Sequence, residues 1–247
     1  MARAQLTVIL TGKTSLSDQT MELEFQFVGD TTFQHKAGQF VQLLFEHEAK
    51  EYKRSYSIAS SPEFFQDTEK LQIAISFVTD GVASAFFQSA ALGTLMMLSG
   101  PFGVLTLPET IGGQLILIGT GTGIAPYRAM IPKLLTIADS DRNIIILMGG
   151  RHRSDIIYKN DFQELASSNP NINYRICLSR ESPENLQKGE YSGYVQHQLN
   201  DLNLNPDKDI TYLCGNPSMV DDAAAQLKDM LFESKKIKRE KYVYSGH

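Results

Sequence analysis

One stretch in the middle of the chain, Leu115-Ile-Leu-Ile-Gly-Thr-Gly-Thr-Gly-Ile-Ala-Pro-Tyr-Arg-Ala-Met130, leaves little freedom in how it can fold. Residues 115–118 are uniformly apolar, the pattern of a short strand buried on both faces of a parallel sheet. Gly119, Gly121 and Gly123 then alternate with Thr120 and Thr122, so the backbone can turn sharply and a bulky anion can come close. Pro126 suits the first turn of a helix, where its missing N–H leaves no bond unmade. Strand, glycine turn and helix start together aim free N–H groups and the positive end of a helix dipole at one point, a phosphate cradle. The residue three after Gly121 is Ile124, so this is not the G-x-G-x-x-G fingerprint. A tight strand-to-helix turn that holds no ligand accounts for the glycines as well.

The rest of the chain divides around this stretch. Before it, residues 5–10, 21–27, 40–45, 55–59, 71–77 and 95–99 read as short strands separated by turn chemistry. Residues 21–27, Met-Glu-Leu-Glu-Phe-Gln-Phe, alternate as a strand with one wet face does. Six such strands predict a small antiparallel barrel, which removes exposed edges by closure. One helix-like piece, residues 84–90, interrupts them after Asp80-Gly81. Near Pro108 the rhythm changes. Strands at 115–118, 143–148, 174–178 and 211–214 alternate with helices from Ala125 and at 160–167, 195–199 and 218–234. That series predicts a parallel, Rossmann-like α/β sheet, with a domain boundary between 1–108 and 109–247 and a last short strand at 242–244. Met219, Ala223, Leu227, Met230 and Leu231 recur at helical spacing and read as core.

Composition narrows the function. With 247 residues there is material for two ordinary domains. No apolar run approaches the ~20 residues of a membrane helix, and no signal peptide is visible at Met1-Ala-Arg-Ala-Gln. Cys177 and Cys214, the only cysteines, suggest a reducing compartment, read here as the cytoplasm, and are too few for a four-cysteine iron–sulfur cluster. The histidines lack zinc-site spacing, so no metal is expected. A net charge of −5 argues against nucleic acid as a partner.

Further motifs carry chemistry. In Arg54-Ser55-Tyr56-Ser57 a strand would put Arg54 and Tyr56 on one face and Ser55 and Ser57 on the other. Arg54 offers a donor fork suited to phosphate and Tyr56 a ring that can stack. An edge strand with an exposed Arg and a packed Tyr is the alternative. Gly81-Val82-Ala83-Ser84 again runs from glycine turn into helix, with Ser84 either facing an anion or serving as a plain N-cap. Cys214-Gly215-Asn216-Pro217 follows a strand at the carboxyl edge of the sheet, where ligands of open α/β folds bind, although a buried structural Cys is the commoner use. Ser179-Arg180 and Tyr194-Val195-Gln196 could hold an adenosine end with an extra phosphate, or be scattered surface residues. Arg151 and Arg153 are rival donors, and Glu181 is placed to pair with Arg180.

Taken in order, these motifs resemble the ferredoxin–NADP reductase superfamily of flavoproteins over nearly the whole chain. Arg54 to Ser57 matches its R-x-Y-S flavin motif, and Gly81 to Ser84 its G-x-x-S turn. Gly119 to Pro126 matches G-T-G-T-G-x-A-P, and Cys214 to Pro217 matches C-G-x-P. Gly38-Gln39-Phe40-Val41 and Gly100-Pro101-Phe102-Gly103 are similar to two further signatures of the barrel.

The resemblance implies FAD and NADP(H) as cofactors. It implies that Arg54 and the turn at Gly81 bind the FAD pyrophosphate, Tyr56 stacks on the isoalloxazine and Ser57 sits near flavin N5. Gly121, Thr122, Gly123 and Pro126 would cradle the nucleotide, and Cys214 would lie near nicotinamide C4. Tyr242 would occupy the region of the aromatic that shields the flavin. It also implies a ferredoxin or flavodoxin partner; the cysteine count and length leave no iron–sulfur domain to expect in this sequence, and a monomer is expected. The basic run Lys235, Lys236, Lys238, Arg239 and Lys241 could steer an acidic carrier or mark a helix C-terminus and its solvated exit. A free-flavin or oxygenase-component reductase shares both domains, and a non-catalytic flavin or nucleotide sensor is a third reading.

Overall fold

The structure, a computed structural model, describes residues 5–29 and 32–242. Its contacts divide them into two units, 5–106 with 125–130 and 107–124 with 131–242. The first unit holds six strands: β1 (Gln5–Ser17), β2 (Thr20–Phe27), β3 (Phe40–His47), β4 (Lys50–Ser57), β5 (Lys70–Ser76) and β6 (Leu95–Phe102). They form one antiparallel sheet in the order β4-β3-β6-β1-β2-β5. Alternation does what the residue pattern requires: Leu23, Phe25 and Phe27 of β2 turn inward while Glu24 and Gln26 between them do not. Inward residues from every strand, among them Leu10, Leu43, Ile73 and Leu98, make one core. The outer strands meet where Ile58 bridges Ile73 and Ala59 N–H donates to Gln72 O at 2.8 Å, which closes the barrel.

Two helices lie between these strands where one was expected. Helix α1 (Pro62–Thr68) starts on Ser61, whose Oγ accepts from Phe64 N–H at 3.1 Å, with Pro62 at its first position. That Ser-Pro start is an ordinary helix signal which the sequence reading, with no element between the strands at 55–59 and 71–77, overlooked. Helix α2 (Val82–Ser89) presses Phe86 on Phe45, rings 4.4 Å apart, and Lys13 Nζ caps its far end by donating to Gln88 O and Ala90 O.

The β3–β4 hairpin turns through Glu48 and Ala49, both at positive φ (51° and 57°). That suits a hairpin but strains an L-residue with a Cβ. Ala49→Gly is therefore expected to stabilise the barrel by about 1 kcal/mol, raising Tm by ~2–4 °C in a thermal melt.

The second unit is a parallel sheet of six strands in the order β10-β9-β8-β7-β11-β12. Its strands are β7 (Leu115–Thr120), β8 (Ile144–Gly150), β9 (Ile172–Leu178), β10 (Glu190–Ser192), β11 (Ile210–Gly215) and β12 (Ile237–Lys241). A tight 3-10 turn, Gly121–Ile124, follows β7 and leads into α3 (Ala125–Ala129) and α4 (Ile131–Ala138). Pro132 divides what reads as one helix: it supplies no N–H to continue the bonds of α3, and it suits the first turn of α4. Helix α5 (Lys159–Ser168) follows β8, and α6 (Pro217–Asp229) follows β11. The α3 segment groups with the first unit because Arg128 Nη1 donates to Gln72 Oε1 (2.9 Å) and Ala59 O (3.2 Å).

Several sequence expectations need correction. The helix expected at 195–199 is a 3-10 segment, Val195–Asp201. Helix α6 stops at Asp229, because Leu231 takes φ 70° and turns the chain out of the helix. A strand not foreseen, β12, runs over Ile237–Lys241, while the one expected at 242–244 lies, apart from Tyr242, outside the described residues. Buried Ile237 is followed by four charged residues, Lys238 to Lys241, on an edge strand, where charge discourages pairing with another chain. The basic run thus spans a short 3-10 turn, Ser234–Lys236, and the strand that follows it. Residues 243–247 lie outside the described residues, and no described helix is long and apolar enough to cross a membrane.

Candidate functional site

In the first unit, β4 places Tyr52, Arg54 and Tyr56 on one half-buried face, with Ser55 exposed on the other. Ser57, the last residue of the strand, is buried. Arg54 meets no carboxylate among the described residues. Its Nη1 donates to Lys53 O at 3.0 Å, and its guanidinium lies 5.6 Å from the Tyr52 ring centre. A cation stacked on a ring keeps its donor edge open, which is what a phosphate needs. Ser55 Oγ accepts from Gln42 Nε2 at 3.3 Å. Tyr56 meets Phe87 of α2 edge-on at 6.1 Å, and burial pushes its phenol up, so it is a neutral ring. This contact joins the Arg54–Ser57 motif to the turn at Gly81.

The turn itself departs from one expectation. Gly81, not Ser84, is the N-cap of α2, and no side chain caps this helix. Ser84 Oγ instead accepts from Val78 N–H at 2.8 Å and braces the turn from behind. The leading N–H groups of Val82 and Ala83 thus have no side-chain acceptor at the cap, which fits a pyrophosphate. Tyr52 was missed by sequence reasoning, although a period of two from Arg54 would have found it.

In the second unit, strand order reverses between β7 and β11, the position where open α/β sheets form a ligand crevice. Both chemical turns leave the sheet there. Gly119 sits opposite Cys214 in the β7–β11 pairing. The glycines divide the work. Gly123 is packed so closely that a Cβ would collide with the Cys214 carbonyl, so its role is backbone approach. Gly121, at φ 55° with nothing within 4 Å of an added Cβ, is the open position. Thr122 and Pro126 are buried. Gly215, at φ 124°, lies against Thr120, whose Oγ1 accepts from Asn216 N–H at 3.0 Å. Asn216 Oδ1 caps α6 by accepting from Ser218 and Met219 N–H, with Pro217 at the first helical position.

Cys214 is fully buried one residue before the end of β11, and burial pushes its thiol up. A thiol held neutral in this way is a shaping group, not a nucleophile. Tyr242 joins it: its N–H donates to Gly215 O at 2.8 Å and its side chain hydrogen-bonds to Cys214.

The far end of the sheet gathers the remaining candidates. Ser179 N–H donates to Gly150 O at 3.0 Å and Arg180 N–H to Arg151 O at 2.9 Å, so the loops after β8 and β9 run side by side. Gly193 N–H donates to Leu178 O, which brings Tyr194, 58% exposed, out beside them. Gln196 Nε2 reaches Asp222 Oδ2 at 3.4 Å, and its Oε1 is buried without a protein partner. The Arg151 and Arg180 side chains are exposed, with no side-chain partner among the described residues. Glu181 and Arg153 are otherwise engaged. Glu181 accepts from Arg153 N–H at 3.2 Å and lies 3.6 Å from His152 Nδ1, not on Arg180. Arg153 grips Glu190 with two bonds, Nε to Oε1 at 2.8 Å and Nη2 to Oε2 at 2.7 Å. No local signal in the sequence foretells that pair, whose members are far apart in the chain. The described residues hold no cluster of metal-ligating side chains.

A flavin-ready barrel and a nucleotide-ready parallel sheet define a class: oxidoreductases that couple FAD to a nicotinamide dinucleotide. Comparison agrees. Residues 7–107 match the oxidoreductase FAD-binding domain family and residues 117–225 the oxidoreductase NAD-binding domain family. The chain is 32% identical over 187 residues to ferredoxin–NADP reductase B of Sorangium cellulosum, covering 76% of this chain and 74% of that protein. It is 30% identical over 197 residues to a component of the Na(+)-translocating NADH-quinone reductase of Haemophilus influenzae, covering 74% of this chain but only about half (47%) of that component's length. Among solved structures, the cytochrome P450 reductase GcoB of Amycolatopsis superposes with TM-score 0.84 at 25% identity, over 96% of this chain and 69% of that one. The chain belongs to the ferredoxin–NADP reductase superfamily and is an FAD- and NAD(P)-dependent oxidoreductase.

Proposed function

We propose that the protein is a ferredoxin (flavodoxin)–NADP reductase, moving electrons between NADPH and a one-electron carrier through FAD. FAD supplies the step from hydride to single electrons. Arg54 and the uncapped start of α2 hold its pyrophosphate, Tyr56 supports the ring, and Ser57 faces the reacting edge. Gly121 and its neighbours receive the dinucleotide, Cys214 and Gly215 shape the nicotinamide end, and Arg151, Ser179, Arg180, Tyr194 and Gln196 receive the adenosine end. Residues 1–108 then bind FAD and 109–247 NADP(H), in a monomer of a reducing compartment such as the cytoplasm.

The observation that carries the choice of partner is β12. Lys241 is spent on Asp221 and Lys235 on Glu233, each at 2.7 Å, but Lys238 and Arg239 carry no ion pair among the described residues. Two such cations on the edge of a chain of net charge −5 favour an acidic carrier. The likeness to a cytochrome P450 reductase favours a second reading, an oxygenase-component reductase. The test is reduction of cytochrome c by NADPH. The proposal expects a yellow protein whose turnover depends on added ferredoxin or flavodoxin and falls steeply with salt. Equal turnover with free flavin and no carrier would remove it.

A further inference from the structure

The Arg153–Glu190 pair occupies a place that the nucleotide chemistry does not use. Glu190 is the first residue of β10, and its side chain is only 1% exposed. It accepts two bonds from the Arg153 guanidinium and one from Gln187 N–H at 3.0 Å, with Lys159 Nζ 3.7 Å away. Arg153 Nη2 also donates to Asn185 O at 2.8 Å. One guanidinium therefore ties the loop after β8 to the middle and the far end of the segment between β9 and β10, while the Arg153 backbone N–H holds Glu181 near its start. Arg180 leaves the sheet at the start of that segment and Tyr194 just beyond its end. In the same loop, the Arg153 backbone N–H and His152 hold Glu181, the carboxylate nearest to Arg180 in the chain.

We infer that Arg153 is a positioning residue for the adenosine end of the nucleotide: its clasp on Glu190 fixes the segment that presents Arg180 and keeps Glu181 turned away from it. This rests on the proposed nucleotide site and adds a specificity element to it. A flexible segment would let Glu181 pair with Arg180, and a paired Arg180 would offer a 2′-phosphate fewer donors and a nearby negative charge. Arg153 itself touches no ligand here, since its fork is filled by Glu190 and Asn185. Lysine cannot replace it, because a single ammonium cannot span both carboxylate oxygens and a carbonyl in one plane.

A double-mutant cycle on the FAD-loaded protein tests this, read as the affinity for adenosine 2′,5′-bisphosphate by titration calorimetry. Arg153→Lys is expected to weaken binding about ten-fold when Arg180 is present and less than about two-fold in an Arg180→Ala background. Affinity for 5′-AMP, which lacks the 2′-phosphate, stays the same. Glu190→Gln, which keeps shape and removes the charge, runs the same cycle should the lysine variant not fold. Equal losses in both backgrounds would mean general loosening, and no loss would mean the clasp is irrelevant; either overturns the inference. If Arg180→Ala alone leaves binding of the bisphosphate unchanged, the nucleotide site itself is wrong and the inference falls with it.

Discussion

Arg180→Ala is expected to raise the Michaelis constant for NADPH by roughly ten- to hundred-fold while that for NADH stays nearly unchanged. The two dinucleotides differ by one phosphate on the adenosine ribose, so a residue that serves only that phosphate changes one constant and not the other. Arg180 has the attributes required. It follows β9 at the carboxyl edge of the sheet, it is exposed, and its backbone is held by a 2.9 Å bond to Arg151 O. Its side chain is not spent on a protein partner among the described residues. The carboxylate that threatened it, Glu181, is occupied by Arg153 N–H and His152. Arg151 stands on the neighbouring loop and is the natural second donor, so the loss should not be total. Steady-state kinetics with both dinucleotides decide the matter. A wild-type protein that prefers NADH, or a variant that loses both equally, would remove Arg180 from this role.

What the sequence made legible follows from the range of the interactions. Strand alternation, glycine turns and the Asn-Pro helix start are local, and they sufficed for the barrel, the parallel sheet and the two chemical turns. The order of elements carried the family. The errors lie where distant residues decide. Helix α6 reads as continuing to Ser234 because Leu231 completes an apolar stripe, yet Leu231 is 81% exposed and left-handed. The stretch after Val195 has helical spacing but settles as a 3-10 segment. Ser84 looks like an N-cap, and only the distant Val78 N–H shows what its hydroxyl does. That Gly123 has a packing reason of its own, the Cys214 carbonyl against it, shows only in the fold. Glu190 reads as nothing at all. Its carboxyl, held down to about 2 mainly by the Arg153 hydrogen bonds, is a tertiary fact. Because the folded value lies below the usual 4.5, its stabilising contribution is complete above that value and is lost as pH falls from there towards 2.

The other large effect is expected at Arg54. Arg54→Ala should lower affinity for FAD by roughly ten- to hundred-fold, the equivalent of about 1.5–3 kcal/mol for a charge-assisted contact. The pyrophosphate carries the charge that distinguishes FAD from riboflavin in this part of the site, and two features of the barrel suit it. The first is the start of α2, which no side chain caps. The second is a guanidinium without a carboxylate partner among the described residues, stacked over Tyr52 and bonded to Lys53 O. Removing the guanidinium leaves the helix start in place, so binding should weaken without vanishing. The barrel should stay folded, because Arg54 belongs to no ion pair among the described residues whose other member would be stranded. Arg54→Lys should fall between, since an ammonium keeps the charge but loses the fork and the stacking on Tyr52. The measurement is reconstitution of the apoprotein followed by flavin fluorescence, with FAD and FMN compared. Arg54→Ala should shrink the preference for FAD over FMN along with the affinity. An unchanged FAD affinity would assign the pyrophosphate to the α2 turn alone and return Arg54 to the surface of an edge strand.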